Sequence, residues 1–229
     1  MMTLTLHYHP LSSYCQKLLI ALDELGVEVE RRLLNLGDPT EHAAFLALWP
    51  MGKMPLLIDQ GRPIPETSVI IEHVQRHHAG GGRALIPNDV DAALQVRLWD
   101  RLFDLYVMTP MQAFTANLLR AEADRDVIGV ARAQEALSSA YALIDRHLQG
   151  RTWVAADAFS MADCAAAPAL FYAVTYVPIP PEHGRLAAYF DRLLERPSVA
   201  RAIDEARPYF QYYPGRSGLS RRFFDPQSS

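Results

Sequence analysis

Two hydrophobic periods follow one another along the chain and divide it into two parts. At the start, Leu4, Leu6 and Tyr8 alternate with polar neighbours, which is the period of a half-buried strand. His9-Pro10 breaks the alternation, because proline has no N–H for a sheet ladder and biases its predecessor away from helix. From Ser13 onward Leu18, Leu19, Leu22 and Leu25 recur at helical spacing, and Gly26 is the stop. Val27, Val29 and Leu33-Leu34 predict a second strand. Asp38-Pro39-Thr40-Glu41 reads as a helix start, with Asp38 as N-cap and proline at the first helical position. That helix carries His42, Phe45, Leu46 and Leu48 and ends at Trp49-Pro50. Met54 to Ile58 reads as a third strand, and Asp59-Gln60-Gly61-Arg62 as the turn into a brief fourth around Ile64. A helix opening near Glu66 and carrying Val69, Ile70, His73 and Val74 completes the order βαβαββα over residues 1–79.

Gly80-Gly81-Gly82, followed by Pro87-Asn88, is the clearest break in composition, so residues 80–88 read as a linker. Beyond it, residues 89–229 follow the helical period almost throughout. Asp89 to about Arg120 is a long amphipathic segment with a bend expected at Thr109-Pro110, where proline removes a helix hydrogen bond. Val127 to Leu148 is a second long helix closed by Gly150. Ser160-Met161-Ala162-Asp163 is a capping box opening an alanine-rich helix that contains Pro168. Pro178-Ile179-Pro180-Pro181 ends that helix, and two shorter ones follow, about Glu182 to Glu195 and Ser198 to Glu205. Tyr209 to Ser229 is rich in aromatics, arginine, proline and glycine and has no period. The expected architecture is an α/β domain followed by an all-α domain.

Composition narrows the chemistry. Of 229 residues, 50% are hydrophobic and 21% charged, an ordinary balance for a folded globular chain. The net charge of −4 supplies no basic field for nucleic acid or anionic lipid, and no apolar run is long enough to span a bilayer. No basic region followed by an apolar signal core opens the chain. Cys15 and Cys164 stand far apart, which argues against a disulfide framework and fits a reducing cytoplasm. No H-E-x-x-H or Cys/His cluster is present, and His77-His78 beside the glycine run reads as a solvated helix end, so no metal is expected.

A strand, a tight turn and a helix put Ser12, Ser13 and Cys15 at a helix N-terminus. Free N–H groups and the positive end of the helix dipole favour a thiolate or another anion there. A serine at that position is equally a plain N-cap.

These residues resemble the cytosolic glutathione S-transferase superfamily over nearly the whole chain. Ser12-Ser13-Tyr14-Cys15 is similar to the C-P-Y-C turn of glutaredoxins with serine in place of the first cysteine. Pro50-Met51-Gly52-Lys53-Met54-Pro55-Leu56-Leu57 is similar to the family's N-P-x-G-x-V-P-x-L segment, in which the last proline is cis. Glu66-Thr67-Ser68-Val69-Ile70 is similar to its E-S-x-A-I helix opening, and Ser160 to Asp163 to its S-x-A-D capping box. Trp49 replaces the usual Asn, and Thr67 the usual Ser. The resemblance implies a thioredoxin-like N-terminal domain, an all-helical C-terminal domain and a homodimer, with the Asp89–Arg120 segment at the interface.

The same resemblance implies roles for individual residues. The Met54 backbone, next to Pro55, would bind the cysteinyl unit of glutathione like an added strand. Glu66 would pair with the γ-glutamyl amine, and Thr67 at the helix start would take its carboxylate. Lys53 and His42 would meet the glycyl carboxylate. Ser12 would hold the glutathione sulfur as a thiolate for attack on a small apolar electrophile, a detoxification chemistry. Ser13 and Cys15 are the alternatives at that position, and Cys15 facing glutathione would instead give thiol-transferase or reductase chemistry. Without the resemblance, Glu66 is a solvated first-turn acid, Lys53 and His42 are surface side chains, and Tyr106, Phe114, Tyr172 and Tyr176 are core rather than a substrate pocket. A non-catalytic scaffold that binds a protein partner through the aromatic, arginine-rich tail is the reading from another class.

Overall fold

The computed structural model describes residues 4–79 and 81–223. Four strands, β1 (Thr5–Tyr8), β2 (Glu30–Leu33), β3 (Leu56–Asp59) and β4 (Arg62–Ile64), form one sheet in the order β2-β1-β3-β4. β1 and β2 run parallel, joined by helix α1 (Ser13–Leu25), whereas β1/β3 and β3/β4 are antiparallel. Helix α2 (Pro39–Leu48) precedes β3 and α3 (Thr67–His77) follows β4, completing the thioredoxin-like order expected. Local chemistry explains the boundaries. Asp38 accepts from the N–H groups of Thr40 and Glu41, and Gly26 closes α1 in the left-handed region at φ 66°. The second strand is shorter than its hydrophobic run, because Val27 and Val29 serve the approach to the sheet edge and only Glu30–Leu33 pair.

The helical part comprises α4 (Val90–Leu102), α5 (Thr109–Leu118), α6 (Val127–His147), α7 (Met161–Ala173), α8 (Gly184–Leu194) and α9 (Pro197–Ala206). α7 is buried along its entire length and forms the axis of the core, packing on α1 and α4. At its start Asp163 Oδ2 accepts from the Ser160 N–H at 2.8 Å, while Oδ1 accepts from the Tyr189 hydroxyl at 2.6 Å. Burial pushes the Asp163 carboxyl up, and these bonds oppose the shift.

The long helix departs from expectation. Next to the expected bend at Thr109-Pro110 lies a π-helical stretch, Phe103–Met108, between α4 and α5. Thr109 donates both its backbone N–H and its Oγ1 hydroxyl to the Asp104 carbonyl, so the widened turn closes on its own backbone.

The tail is packed rather than free as far as it is described. Residues 207–212, 216–218 and 221–223 form 3₁₀ turns. Phe210 and Tyr213 are buried, Phe210 stacks on Phe171 of α7, and Tyr213 bonds Thr175 at 2.8 Å. The tail reading also covered residues 224–229, which lie outside the described residues, as does Gly80 of the linker. Among the described residues no helix is long and apolar enough to cross a membrane.

Candidate active site

A cleft of about 600 Å³ opens between the start of α1, the segment before β3, the start of α3 and the π-helical stretch. It brings together six of the residues singled out from sequence: Ser12, Lys53, Met54, Pro55, Glu66 and Thr67. Each is delivered by a different local device.

Ser12 is the N-cap of α1, and its Oγ accepts from the Cys15 N–H at a long 3.4 Å. The hydroxyl lines the cleft beside the free N–H groups of the first turn. Met54-Pro55 is a cis peptide at the entry to β3, with Pro55 buried and Met54 half-buried. Glu66 caps α3 at φ 69° and ψ 112°, a left-handed backbone that costs a non-glycine residue about 1–3 kcal/mol. Its side chain makes no capping bond and is exposed to the cleft. Thr67 follows as the first, buried residue of α3. Lys53 is exposed at the rim.

The other three candidates are not brought into the cleft. His42 is exposed on α2, whose one buried residue is Phe45, and does not border the cavity. Ser13 is buried at 7% exposure behind Ser12. Cys15 is wholly buried, and burial pushes its thiol up to about 12, against weaker opposing bonds from Ser12 and the His9 backbone. The helix start therefore does not create a reactive thiol at Cys15, because desolvation outweighs the nearby N–H groups.

Several lining residues escaped sequence reasoning. Tyr14 reaches the cleft from α1, and burial, reinforced by Asp104, pushes its phenol up to about 12, so it stands there as a neutral donor. Arg101, Asp104 and Gln112 come from the long helix of the second domain. Arg101 pairs with Asp104 at 3.2 Å, and burial, with Asp100 adding to it, raises the Asp104 carboxyl despite Lys17. The cleft thus offers an exposed cation in Lys53 and an exposed carboxylate in Glu66, beside the mutually paired Arg101 and Asp104.

The aromatic candidates are divided. Tyr172 is core, accepting from Gln16 Nε2 at 2.8 Å; Phe114 and Tyr176 stack on each other at 5.1 Å; Tyr106 is 59% exposed. None of the four borders the cleft. A second cleft of about 600 Å³ between α1 and α9 is lined by Asp23, Arg31, Arg201 and Glu205, whose charges pair as Arg31–Glu205 and Arg201–Asp23.

The chain is similar to known proteins in sequence and fold. A family model described as glutathione S-transferase, N-terminal domain, matches residues 6–82, and one described as the C-terminal domain matches residues 128–192. Glutathione S-transferase F10 of Arabidopsis thaliana is 27% identical over 206 residues, covering 85% of this chain and 94% of that protein. Glutathione S-transferase GstB of Escherichia coli K12 is 25% identical, covering 84% and 93%. The solved structure of a glutathione S-transferase from Methylobacillus flagellatus KT with glutathione bound aligns at a TM-score of 0.79 with 26% identity, covering 87% of this chain and 98% of that one. One from Methylobacterium radiotolerans in complex with glutathione sulfonate aligns at 0.75 with 28% identity, covering 87% and 94%. The chain belongs to the glutathione S-transferase superfamily.

Proposed function

We propose that the cleft binds glutathione and that Ser12 stabilises its sulfur as a thiolate for attack on an apolar electrophile. The observation that carries this reading is the position of the Ser12 hydroxyl at the N-terminus of α1, in the same cleft as Glu66, Thr67 and Met54. Glu66 takes the γ-glutamyl ammonium, and the Thr67 hydroxyl and N–H take the adjacent carboxylate at the helix start. Lys53 takes the glycyl carboxylate at the rim. The Met54 backbone pairs with the cysteinyl unit. A hydroxyl donor plus the helix N-terminus lowers a thiol from about 8.5 towards neutrality. The thiol proton leaves to solvent, the sulfur lone pair forms the new bond to carbon, and the electrophile's leaving group departs with its electron pair.

The burial of Cys15 supports Ser12 over a Cys15-based thiol transferase. The burial of Phe210 and Tyr213 within the chain removes the main support for a scaffold that offers its tail to a partner. Turnover with an activated aryl halide separates these readings. Ser12→Ala loses about 10²-fold in kcat, the usual effect of deleting one donor to a developing anion, while Cys15→Ala keeps wild-type turnover. The reverse pattern overturns the assignment.

The active form is a homodimer in this reading. Val90, Leu94, Leu98 and Leu105 are 71, 54, 54 and 48% exposed along the long helix, an apolar stripe that a second copy would cover.

A further inference from the structure

At the end of the N-terminal domain away from the cleft's helix start, Asp59, His73 and His78 converge. Asp59 is the last residue of β3 and is buried; His73 lies on the last turns of α3, and His78 is its C-cap. Both imidazoles direct Nε2 at the same oxygen, Asp59 Oδ2, each at 2.8 Å. His78 is thus no solvated helix end, its side chain being 17% exposed and that of His73 23%.

We propose that Asp59, His73 and His78 form a binding site for a divalent first-row transition ion of the zinc type. Three observations carry this. The donor set, two imidazoles and a carboxylate, is one that zinc takes and that magnesium or calcium, which prefer oxygen ligands, does not. Their ligand atoms lie within 4.8 Å of one another, so small side-chain rotations bring all three to about 2.0–2.2 Å from a shared ion. Finally, Asp59 Oδ1 is buried with no hydrogen-bond partner among the described residues, while its sister oxygen receives both rings. A cluster built only for hydrogen bonding serves both carboxylate oxygens; this one leaves a buried lone-pair site that a cation can use.

On binding, each ring offers the Nε2 lone pair to the ion and carries its proton on Nδ1. The partial exposure of the two rings gives an entry path and leaves room for a water as fourth ligand. His77 stands just outside, its ring centroid 4.7 Å from that of His73 and 6.5 Å from that of His78. The ion joins the end of β3 to the end of α3, the two elements whose opposite ends carry Met54-Pro55 and Glu66-Thr67. Its role is a clamp on the frame of the cleft.

Full-length protein, stripped with chelator and titrated with Zn²⁺ in the absence of glutathione, tests the site by calorimetry and thermal denaturation. The expected result is one saturable Zn²⁺ per chain and a Tm raised by roughly 5–10 °C at about 100 times Kd. His73→Gln and His78→Gln, each still folded by circular dichroism, lose that binding and the Tm shift, whereas His183→Gln keeps both. Absence of saturable binding to wild type shows an ion-pair buckle only and overturns the proposal; so does binding that persists in both variants. Because wild type is read directly, misfolding of a variant does not remove the test.

Discussion

Lys17 and Asp104 meet at 3.0 Å in the interior, joining α1 of the first domain to the π-helical stretch of the second. The Lys17 ammonium is wholly buried and also touches Asp100 Oδ1 at 2.7 Å and the Ser68 hydroxyl at 3.0 Å. The network fixes the helix that carries Ser12 against the helix that carries Arg101 and Gln112. Lys17→Met keeps most of the packing volume but takes the ammonium from two buried carboxylates, leaving Asp104 its contact with Arg101. It is expected to cost about 3–5 kcal/mol and to lower Tm by roughly 10 °C. Asp104 has its carboxyl raised, chiefly by burial, so it takes up a proton readily when Lys17 is gone. The deficit should therefore shrink as pH falls from 7 towards the carboxylate range. Thermal melts at two pH values check this; a Tm equal to wild type at pH 7 contradicts it.

Cys15 should be inert in the native protein. Its thiol is pushed up to about 12 by burial, so it stays protonated where an exposed cysteine is already half ionised. Iodoacetamide at pH 8 is expected to leave Cys15 unmodified until denaturant is added, as read by peptide mass. The linkage has a definite sign. A group whose folded pKa is raised contributes stability that is complete below the unfolded value, about 8.5, and is lost as pH rises through the folded value. Cys15→Ala should therefore flatten the loss of stability between pH 9 and 12. Rapid native alkylation of Cys15 contradicts the burial.

The apolar stripe on the long helix predicts a dimer. Light scattering should give twice the chain mass, and Leu94→Glu together with Leu98→Glu should shift the particle to monomer while circular dichroism stays unchanged. Both positions are half exposed, so the substitutions leave the core intact. A wild-type monomer at micromolar concentration sinks the dimer reading.

Features that depend on neighbours in sequence were legible beforehand. Asp38-Pro39, Gly26 and Ser160–Asp163 each make a bond within one turn, so residue type and spacing determine them. The first-domain side of the cleft was legible through the family resemblance, whose short motifs carry Ser12, Met54, Pro55, Glu66 and Thr67 at or just before the starts of α1, β3 and α3. Arg101, Asp104 and Gln112 were not, because their direction is set by how the long helix packs on α1 and by the π-helical register. Pro110 announced an irregularity but not its kind. His42 looked suitable by position along α2, yet the face that helix turns inward carries Phe45 alone. The Asp59 cluster was hidden by distance along the chain, its partners lying 14 and 19 residues apart.

In the proposed reaction this cleft binds glutathione and ionises its thiol at Ser12. Glutathione titrations by calorimetry, with thiolate absorbance followed in parallel, test it on wild type, Glu66→Ala and Ser12→Ala. Wild type should bind glutathione and show thiolate near neutral pH. Glu66→Ala should lose binding, and Ser12→Ala should bind but return the thiol towards about 8.5. No binding by wild type, or an unchanged thiol pKa in Ser12→Ala, would contradict the account.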